Sequence, residues 1–435
     1  MMQKVQLFIM DAFLIEGKRT LHGEVTVSGS KNATLPLLFS SLLFKSEQKY
    51  RNVPDLWDVQ TTLKMLEFLG ANIHWNKAQK ELSIIPSIHQ RVAPYELVKK
   101  MRASILVLGP LLARFGEASV SLPGGCAIGV RPVDYHLDAM KKMGVLIDLD
   151  AGYIRARVPK SLTGGMISFP KPTVTGTENI LMLATHADRP TYIENAACEP
   201  EVMTLGQMLI DHGANIQGLG TSSITVIPTA LVELTPPTEI PYDRIEAGTW
   251  IAIASSTHSE LVIHGVPLQE MKSTADVFAQ IGVGIKVLDA HNNICSVLVT
   301  PQERYAPAHV ITAPYPGFPT DMQAQLMTVL CLAEGISVIE ESIFENRLMH
   351  VAELERLGAS IHLKGHVAMI TGPCRLKGAP VMATDLRASA SLVIAGLCAE
   401  GETKISRIYH LDRGYEKLDK KLQSVGAKMI RMTDQ

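Results

Sequence analysis

The chain has 435 residues and a formal net charge of −2, with 46% hydrophobic and 19% charged residues. This length predicts two domains, each able to bury a core of its own. A nearly neutral chain argues against a nucleic-acid partner or an anionic membrane surface, so any anion site must come from local arrangement.

The cysteines and the N-terminus predict the compartment. Six scattered cysteines, without a C-x-x-C pair, are typical of a reducing compartment and predict no disulfide framework. The N-terminal apolar patch is interrupted by Asp11 and is followed by no small-residue cleavage site, and no apolar run approaches the length of a membrane span. We therefore expect a cytoplasmic protein without a membrane segment.

A repeated unit organises the chain. Six segments each read as an amphipathic helix, a glycine and a short strand, in chain order LEFLGANIHW, MKKMGVLIDL, LIDHGANIQG, FAQIGVGIKV, LERLGASIHL and LQSVGAKMIR. Their glycines recur about every 70 residues, at Gly70, Gly144, Gly213, Gly282, Gly358 and Gly426. Glycine just past a helix is the expected left-handed cap. A period this long indicates duplication of a whole α/β unit.

A second kind of helix alternates with the first. SILVLGPLLARF, NILMLATHA, TWIAIASST, QAQLMTVLCLA and SASLVIAGLCA are apolar nearly all round, which is typical of helices buried on every side. The strands between them, such as KELSIIP and SSITVIP, alternate polar and apolar residues, which suits sheets with one wet face. The predicted fold class is therefore α/β, with two domains of three units each, helices inside and sheets outside.

The domain boundaries follow from a proline-rich stretch, PPTEIPY at 236–242, between the third and fourth units. The first strands precede the first unit, so we expect them to pack onto the second half. This predicts one domain over 31–241 and a second over 1–30 plus 242–435, with two chain crossings and a hinge.

The starts of the buried helices are polar, and three of them carry a cation: Lys31, Arg102 and Arg387. Capping by Ser, Thr and Asp explains part of this pattern. A cation at a helix start is disfavoured by the helix dipole, so something negative should compensate it. The sequence therefore predicts an anion site where these starts meet.

A glycine-rich stretch, SLPGGCAIGVRP at 121–132, places Cys126 five residues before Arg131. A nearby guanidinium would favour the thiolate and could also hold a phosphate or carboxylate. The same residues are equally compatible with a surface turn in which the cysteine is half-buried. The pair His362 and His366 flanks Gly365 in a predicted hairpin, so we do not expect a metal site there.

Nine motifs together resemble the enolpyruvyl transferase family, and within it the enzymes that act on UDP-N-acetylglucosamine. They are VSGSKNA, KKMRAS, SLPGGCAIGVRPVD, ENAACEPE, YDRIEAGT, FPTDMQAQ, FENRLMH, ATDLRASASL and RIYHLDRGYE. The resemblance implies an inside-out α/β barrel pair. It also implies transfer of the enolpyruvyl group of phosphoenolpyruvate to the 3′-hydroxyl of UDP-N-acetylglucosamine with release of phosphate, without metal or cofactor. That reaction is the first committed step of peptidoglycan synthesis and so bears on cell shape and division.

The same resemblance implies roles for individual residues. Cys126 would protonate the enolpyruvyl methylene and can form a covalent thioketal, and Asp321 would be the base facing the sugar hydroxyl. Lys31, Arg131 and Arg413 would hold the phosphate of phosphoenolpyruvate, whereas Arg347 and Arg387 would hold its carboxylate and Asn32 would position the sugar. The nucleotide-sugar site would be lined by Arg102, Arg131, Pro132, Val133, Asp134, Tyr135, Lys171, Thr173, Val174 and Ile343.

One departure and two alternatives accompany this interpretation. Cys198 stands where the family usually carries a basic residue, so the chain departs from the family pattern at that position. The same fold also serves enolpyruvyl transfer to shikimate 3-phosphate, although the PGGC and RPVD motifs argue against that substrate. A non-catalytic paralogue that binds the nucleotide sugar is the other alternative. We expect a monomer.

Overall fold

The computed structural model describes residues 10–122, 133–233 and 236–434. The strands in these ranges are β1 Met10–Glu16, β2 Gly23–Thr26, β3 Gln48–Arg51, β4 Asn72–Asn76, β5 Glu81–Ile85, β6 Val92–Ala93, β7 Glu117–Ser121, β8 Leu146–Asp150, β9 Tyr153–Arg157, β10 Met166–Ser168, β11 Thr191–Glu194, β12 Asn215–Gln217, β13 Ser223–Ile227, β14 Thr238–Glu239, β15 Leu261–Val266, β16 Gly284–His291, β17 Ile294–Thr300, β18 His309–Ile311, β19 Gly335–Glu340, β20 Ile361–Lys364, β21 Val367–Gly372, β22 Pro380–Met382, β23 Glu402–Ser406 and β24 Lys428–Asp434.

The helices fall between these strands. They are α1 Lys31–Ser40, α2 Trp57–Leu69, α3 Tyr95–Val98, α4 Leu108–Phe115, α5 Asp134–Lys142, α6 Val174–Ala184, α7 Pro200–Asp211, α8 Arg244–Ser256, α9 Lys272–Gln280, α10 Gln323–Leu330, α11 Val351–Arg356, α12 Leu386–Cys398 and α13 Leu418–Ser424. Short 3₁₀ helices cover Ser41–Leu43, Arg102–Val107, Thr320–Met322 and Ile408–Arg413.

Six four-stranded sheets share one plan. Their strand orders are β14-β3-β5-β4, β6-β7-β9-β8, β10-β11-β13-β12, β2-β15-β17-β16, β18-β19-β21-β20 and β22-β23-β1-β24. In each sheet the first two strands are parallel and the remaining neighbours are antiparallel. The sixfold plan matches the six repeats of the sequence.

The pivotal glycines are helix caps. All six take a positive φ, from 85° at Gly144 to 116° at Gly70. At such a φ a Cβ would be strained, so glycine is the residue that turns each outer helix into its following strand. The prediction of repeated glycine caps is confirmed.

The apolar helices form the interior. Helices α1, α4 and α6 pack on one another in the first half of the chain, and α8, α10 and α12 do so in the second. In α8 every residue from Arg244 to Ser256 is buried. The strands alternate buried and exposed residues, as in β5 and β13, so each sheet has one face toward solvent. The prediction of helices inside and sheets outside is confirmed.

The chain crosses between the two domains twice, and the crossings lie side by side. Ser30 N–H donates to Pro241 O at 2.7 Å, and Asp243 N–H donates to Ser28 O at 2.9 Å. Around them, β1 and β2 join sheets of the second half, whereas β14 joins a sheet of the first. The prediction that the first strands pack onto the second half is confirmed.

Two hydrophobic clusters lie on either side of these crossings. One runs from Leu35 to Ile240, and the other combines Phe13–Val27 with Ile245–Met429. We therefore propose domain boundaries at 31–241 and at 1–30 plus 242–435. The hinge stays a prediction.

Candidate active site

Asp321 is held by two arginines at the entrance to a buried helix. It lies in the 3₁₀ helix Thr320–Met322, which leads directly into α10. Arg347 Nη2 donates to its Oδ1 at 2.7 Å, and Arg387 Nη2 donates to its Oδ2 at 2.9 Å. The arginine side chains are 5% and 2% exposed, whereas that of Asp321 is 26% exposed. The carboxylate is therefore the part of this group that solvent reaches.

The two arginines set the charge state of Asp321. Burial alone would raise the pKa of this carboxyl, but Arg387, Arg347 and Lys31 outweigh burial and hold the pKa well below its usual range. Asp321 is therefore ionised throughout the neutral range. It is also a weak base for as long as both guanidinium groups face it.

The start of α12 fixes Arg387. Asp385 caps this helix, because its Oδ1 accepts hydrogen bonds from the main-chain N–H groups of Arg387 at 2.8 Å and Ala388 at 3.1 Å. The Nη1 of Arg387 has no hydrogen-bond partner among the described residues. A buried guanidinium N–H without an acceptor is costly, and an anionic ligand would satisfy it.

A second carboxylate, Asp58, joins cations from the two halves of the chain. Its side chain is 4% exposed and lies in the first turn of α2. Lys31, the first residue of α1, places Nζ 3.4 Å from Asp58 Oδ2. Arg413, at the end of the 3₁₀ helix Ile408–Arg413, donates from Nε to Asp58 Oδ1 at 2.9 Å. This ion-pair group therefore spans the two domains.

The two groups are electrostatic neighbours. Burial lowers the pKa of Lys31, with Arg387 and Arg413 lowering it further while Asp58 and Asp321 oppose the shift. Four cations, Lys31, Arg347, Arg387 and Arg413, thus lie around Asp58 and Asp321, and two further carboxylates, Asp243 and Asp385, cap the adjoining helix starts. The local arrangement can attract a multiply charged anion although the whole chain is nearly neutral.

Comparison with known proteins identifies the family. Residues 15–422 match the family described as EPSP synthase (3-phosphoshikimate 1-carboxyvinyltransferase). The chain belongs to this family. The match ends before β24 but extends through both halves of the chain, and the residues of both ion-pair groups fall within it.

Relatives and solved structures of the EPSP synthase family agree with this assignment. The UDP-N-acetylglucosamine 1-carboxyvinyltransferases of Desulfosudis oleivorans and Thermodesulfovibrio yellowstonii are 50% and 51% identical to this chain, cover 98% and 97% of it, and are themselves covered completely. The enolpyruvyl transferase NikO from Streptomyces tendae superposes with a TM-score of 0.89 at 25% identity. An EPSP synthase from Acinetobacter baumannii gives 0.75 at 16% identity and shows the fold alone. Both structures cover 98% of this chain and are completely covered themselves. The chain is an enzyme of the transferase class.

Several residues expected to line a sugar-nucleotide site lie at three helix starts of the first domain. Arg102 begins the 3₁₀ helix Arg102–Val107, Asp134 begins α5, and Thr173 caps α6 by accepting a hydrogen bond from Gly176 N–H at 3.3 Å. These starts carry N–H groups that favour an anionic ligand. The remaining residues of the set that the structure describes are Val133, the cap of α5, half-buried Tyr135 and Val174, exposed Lys171 and, in the second domain, half-buried Ile343.

His136 connects these helix starts. Its Nδ1 lies 2.9 Å from Asn179 Nδ2, and its Nε2 lies 3.3 Å from Thr175 Oγ1. Burial, and then the charge of Arg102, lower the pKa of His136 to about 3. The imidazole is therefore neutral at pH 7.

Five further predicted positions have different outcomes. Cys126, Arg131 and Pro132 lie outside the described residues, and their roles stay predictions. Asn32 follows Lys31 in α1 and is half-buried. Cys198, at the position where a basic residue was expected, is also half-buried, and burial together with Glu199 raises the pKa of its thiol.

Sequence reasoning missed two carboxylates as members of this site. Asp385 had a local signal, because it stands two residues before Arg387 at the start of an apolar segment, where a cap is expected. Asp58 had none, because its partner Arg413 lies 355 residues away along the chain.

Neither a metal-binding cluster nor a membrane-spanning helix is found in residues 10–122, 133–233 and 236–434. Within these ranges no group of three or more His, Cys, Asp or Glu side chains is arranged to hold a metal ion. Among the helices of the same ranges, none combines the length and apolar character that a membrane crossing requires. The expectation that the reaction needs no metal or cofactor stays a prediction.

We expect Asp58→Asn to lower the melting temperature, because it removes the buried carboxylate that Lys31 and Arg413 share. Losing one partner of a buried pair costs about 3–5 kcal/mol, and partial exposure of Arg413 reduces this to about 1–2 kcal/mol. Inorganic phosphate should restore more of the loss in the variant than it adds to the wild type. Differential scanning calorimetry with and without phosphate measures both effects. Asp276→Asn, which breaks the exposed pair with Lys272, is the matched control and should change stability by less than about 1 kcal/mol. Equal shifts in the two variants would contradict the role given to Asp58.

Proposed function

We propose that this chain transfers the enolpyruvyl group of phosphoenolpyruvate to the 3′-hydroxyl of UDP-N-acetylglucosamine and releases phosphate. The observation that carries the proposal is identity of about 50%, over nearly the whole chain, to proteins named for this activity. The four cations around Asp321 and Asp58 support it, since phosphoenolpyruvate carries both a phosphate and a carboxylate.

The anion-binding roles follow the two ion-pair groups. Lys31 and Arg413, together with Arg131, bind the phosphate of phosphoenolpyruvate. Arg347 and Arg387 bind its carboxylate, because arginine grips such a group with two parallel N–H bonds. The unpartnered Nη1 of Arg387 supports this role.

The sugar nucleotide occupies the first domain and reaches the second. Arg102, the residues around Asp134 and those around Thr173 bind it at the three helix starts, with Asn32 positioning the sugar and Ile343 approaching from the second domain. Asp321 opposes the lowering of the pKa of Lys31, which supports a single site shared by the two residues.

Substrate binding would also activate the base. While Arg347 and Arg387 hold Asp321, its pKa is well below the usual range and it accepts a proton poorly. A substrate carboxylate that takes over these guanidinium groups removes the charges that depress the pKa. The pKa of Asp321 then rises, and the carboxylate can take the proton of the sugar hydroxyl.

The chemistry is addition followed by elimination. The sugar oxygen bonds to the central carbon of phosphoenolpyruvate as Asp321 takes the hydroxyl proton and Cys126 donates a proton to the methylene. Loss of a proton from the resulting methyl group and departure of phosphate then restore the double bond. Cys126 can itself add to the same carbon and form the covalent thioketal.

The biological setting is proposed on the same basis. The reaction opens peptidoglycan synthesis in the cytoplasm and thereby supports cell shape and division. The protein acts as a monomer on two small-molecule substrates, without nucleic acid, membrane or metal.

Phosphate release from phosphoenolpyruvate tests the proposal directly. We expect release with UDP-N-acetylglucosamine and none with shikimate 3-phosphate, and Cys126→Ala should abolish it, whereas Cys295→Ala, at a buried position of β17, should not. Release with shikimate 3-phosphate alone would make the chain a 3-phosphoshikimate transferase. Binding of the sugar nucleotide without any release would make it a non-catalytic paralogue.

A further inference from the structure

Two thiols meet at the end of α10 that lies away from Asp321. Cys331 caps the C-terminal end of α10, and Cys374 follows strand β21 by two residues. The main-chain N–H of Cys374 donates to the main-chain oxygen of Cys331 at 2.7 Å. Given standard bond lengths, this contact limits the Cα separation to about 7 Å. Disulfides span about 4.4–6.8 Å between Cα atoms, so the two backbones already stand at bridging distance.

Gly372 makes this approach possible. A Cβ at this position would lie 2.3 Å from the main-chain oxygen of Ala333 and 3.0 Å from that of Cys331. Any side chain would therefore push β21 away from the end of α10. The closeness of the two cysteines is built into the packing of the strand.

The two thiols also influence each other electrostatically. Ser360 N–H lies 3.3 Å from the Cys374 sulfur, and that sulfur lies 3.2 Å from the main-chain oxygen of Thr371. Cys331, and to a lesser degree the Ser360 N–H, outweigh partial burial and lower the pKa of Cys374 to about 6, whereas Cys374 and burial raise the pKa of Cys331 well above its usual value.

Exposure separates the roles of the two thiols. Cys331 is completely buried, whereas Cys374 is half-buried and can be reached from solvent. A small oxidant can therefore react with Cys374 from solvent, whereas Cys331 is shielded from it. A low-pKa, accessible thiol beside a second thiol is the usual arrangement of a redox-sensitive pair.

We propose that Cys374 and Cys331 form a peroxide-sensitive modification site, with Cys374 as the attacking thiol and Cys331 as the resolving thiol. The Cys374 thiolate attacks hydrogen peroxide, takes one oxygen as the sulfenic acid and releases hydroxide, which is protonated to water. Cys331 then attacks the Cys374 sulfur, the S–O bond breaks, and a second water leaves as the disulfide forms. The two sulfurs together give up two electrons, and one peroxide is reduced to two waters.

Peptide mapping of the peroxide-treated full-length protein tests this site. Free thiols are blocked with iodoacetamide before digestion, and linked peptides are identified by mass spectrometry. We expect one peptide pair joined through Cys331 and Cys374, which dithiothreitol separates. A linkage of Cys331 to Cys398, which also lies near it, or no linkage at all, would overturn the proposal.

Single variants separate the two roles. In Cys331→Ser, Cys374 should accumulate as a sulfenic acid trapped by dimedone and then proceed to the sulfinic acid, because its resolving partner is gone. In Cys374→Ser, Cys331 should stay a free thiol. Cys295→Ser is the matched control and should form the linkage as the wild type does. Sulfinic acid at Cys374 at equal rates in wild type and Cys331→Ser would also contradict the proposal.

Cys198 provides an internal comparison within the same protein. It is half-buried like Cys374, but the pKa of its thiol is raised. At pH 7 we expect iodoacetamide to modify Cys374 about tenfold faster than Cys198, since the larger thiolate fraction outweighs the lower nucleophilicity of a low-pKa thiol. Equal rates would show that Cys374 is not activated. None of these readouts depends on enolpyruvyl transfer.

Discussion

Asp321→Asn is expected to reduce turnover by about 10²–10⁴-fold, the range that a general base contributes. Asparagine keeps the shape of the side chain but cannot accept the proton of the sugar hydroxyl. Binding of UDP-N-acetylglucosamine should survive within about tenfold, or about 1.4 kcal/mol. Phosphate release gives the turnover number, and calorimetric titration gives the affinity.

The same variant leaves Arg347 and Arg387 without their counter-ion, so loss of folding must be separated from loss of chemistry. The melting temperature and the retained affinity for the sugar nucleotide make this separation. Asp276→Asn, which breaks an exposed pair with Lys272, is a matched control and should turn over normally. Near-normal turnover of Asp321→Asn would show that Asp321 is not the base.

The pH dependence gives a second view of Asp321. A carboxylate with a depressed pKa becomes protonated only when the pH falls to that lowered pKa. The pH profile of kcat/KM, which reports the free enzyme, should therefore show no decrease from protonation of Asp321 in the ordinary carboxylate range. In the substrate complex the arginines face the substrate and the pKa of Asp321 is higher. The acid limb of kcat should therefore lie at higher pH than that of kcat/KM, and coincident limbs would contradict base activation by substrate.

Arg387→Gln is expected to lower kcat/KM for phosphoenolpyruvate by about 30-fold to about 4,000-fold. Truncating one partner of a buried charged hydrogen bond costs about 2–5 kcal/mol. The change removes a guanidinium that is 2% exposed and bound to Asp321, together with the unpartnered Nη1 that we assign to the substrate carboxylate. Steady-state kinetics with phosphoenolpyruvate as the varied substrate measures the loss.

Two further variants test whether the loss comes from the charge or from the planar geometry of the Arg387 guanidinium. Arg387→Lys keeps the charge but lacks the planar fork, so it should recover only part of the activity. Arg375→Gln breaks an exposed pair with Glu400 and should leave kcat/KM unchanged. If Arg387→Lys were as active as the wild type, two-point recognition of the carboxylate by Arg387 would be wrong.

The sequence by itself determined the repeated architecture. Each outer helix ends in a glycine that takes a positive φ, and each inner helix is apolar on every side, so both signals lie within about a dozen neighbouring residues. The same holds for the polar helix starts, where Lys31, Arg102 and Arg387 stand in short, readable motifs. Such features depend only on neighbouring residues, so they can be predicted without knowledge of the fold.

Only the tertiary structure decided which of these groups meet. Asp58 joins Lys31 to Arg413 because two domains approach each other there, and nothing near Asp58 in the chain predicts it. Cys331 and Cys374 are neighbours because β21 passes the end of α10 at Gly372, although as scattered cysteines they carried no pairing signal. The depressed pKa of Asp321 likewise requires two buried arginines from different segments. Ion pairs and shifted pKa values depend on distance and desolvation in three dimensions, whereas helix periodicity and caps depend on residues a few positions apart.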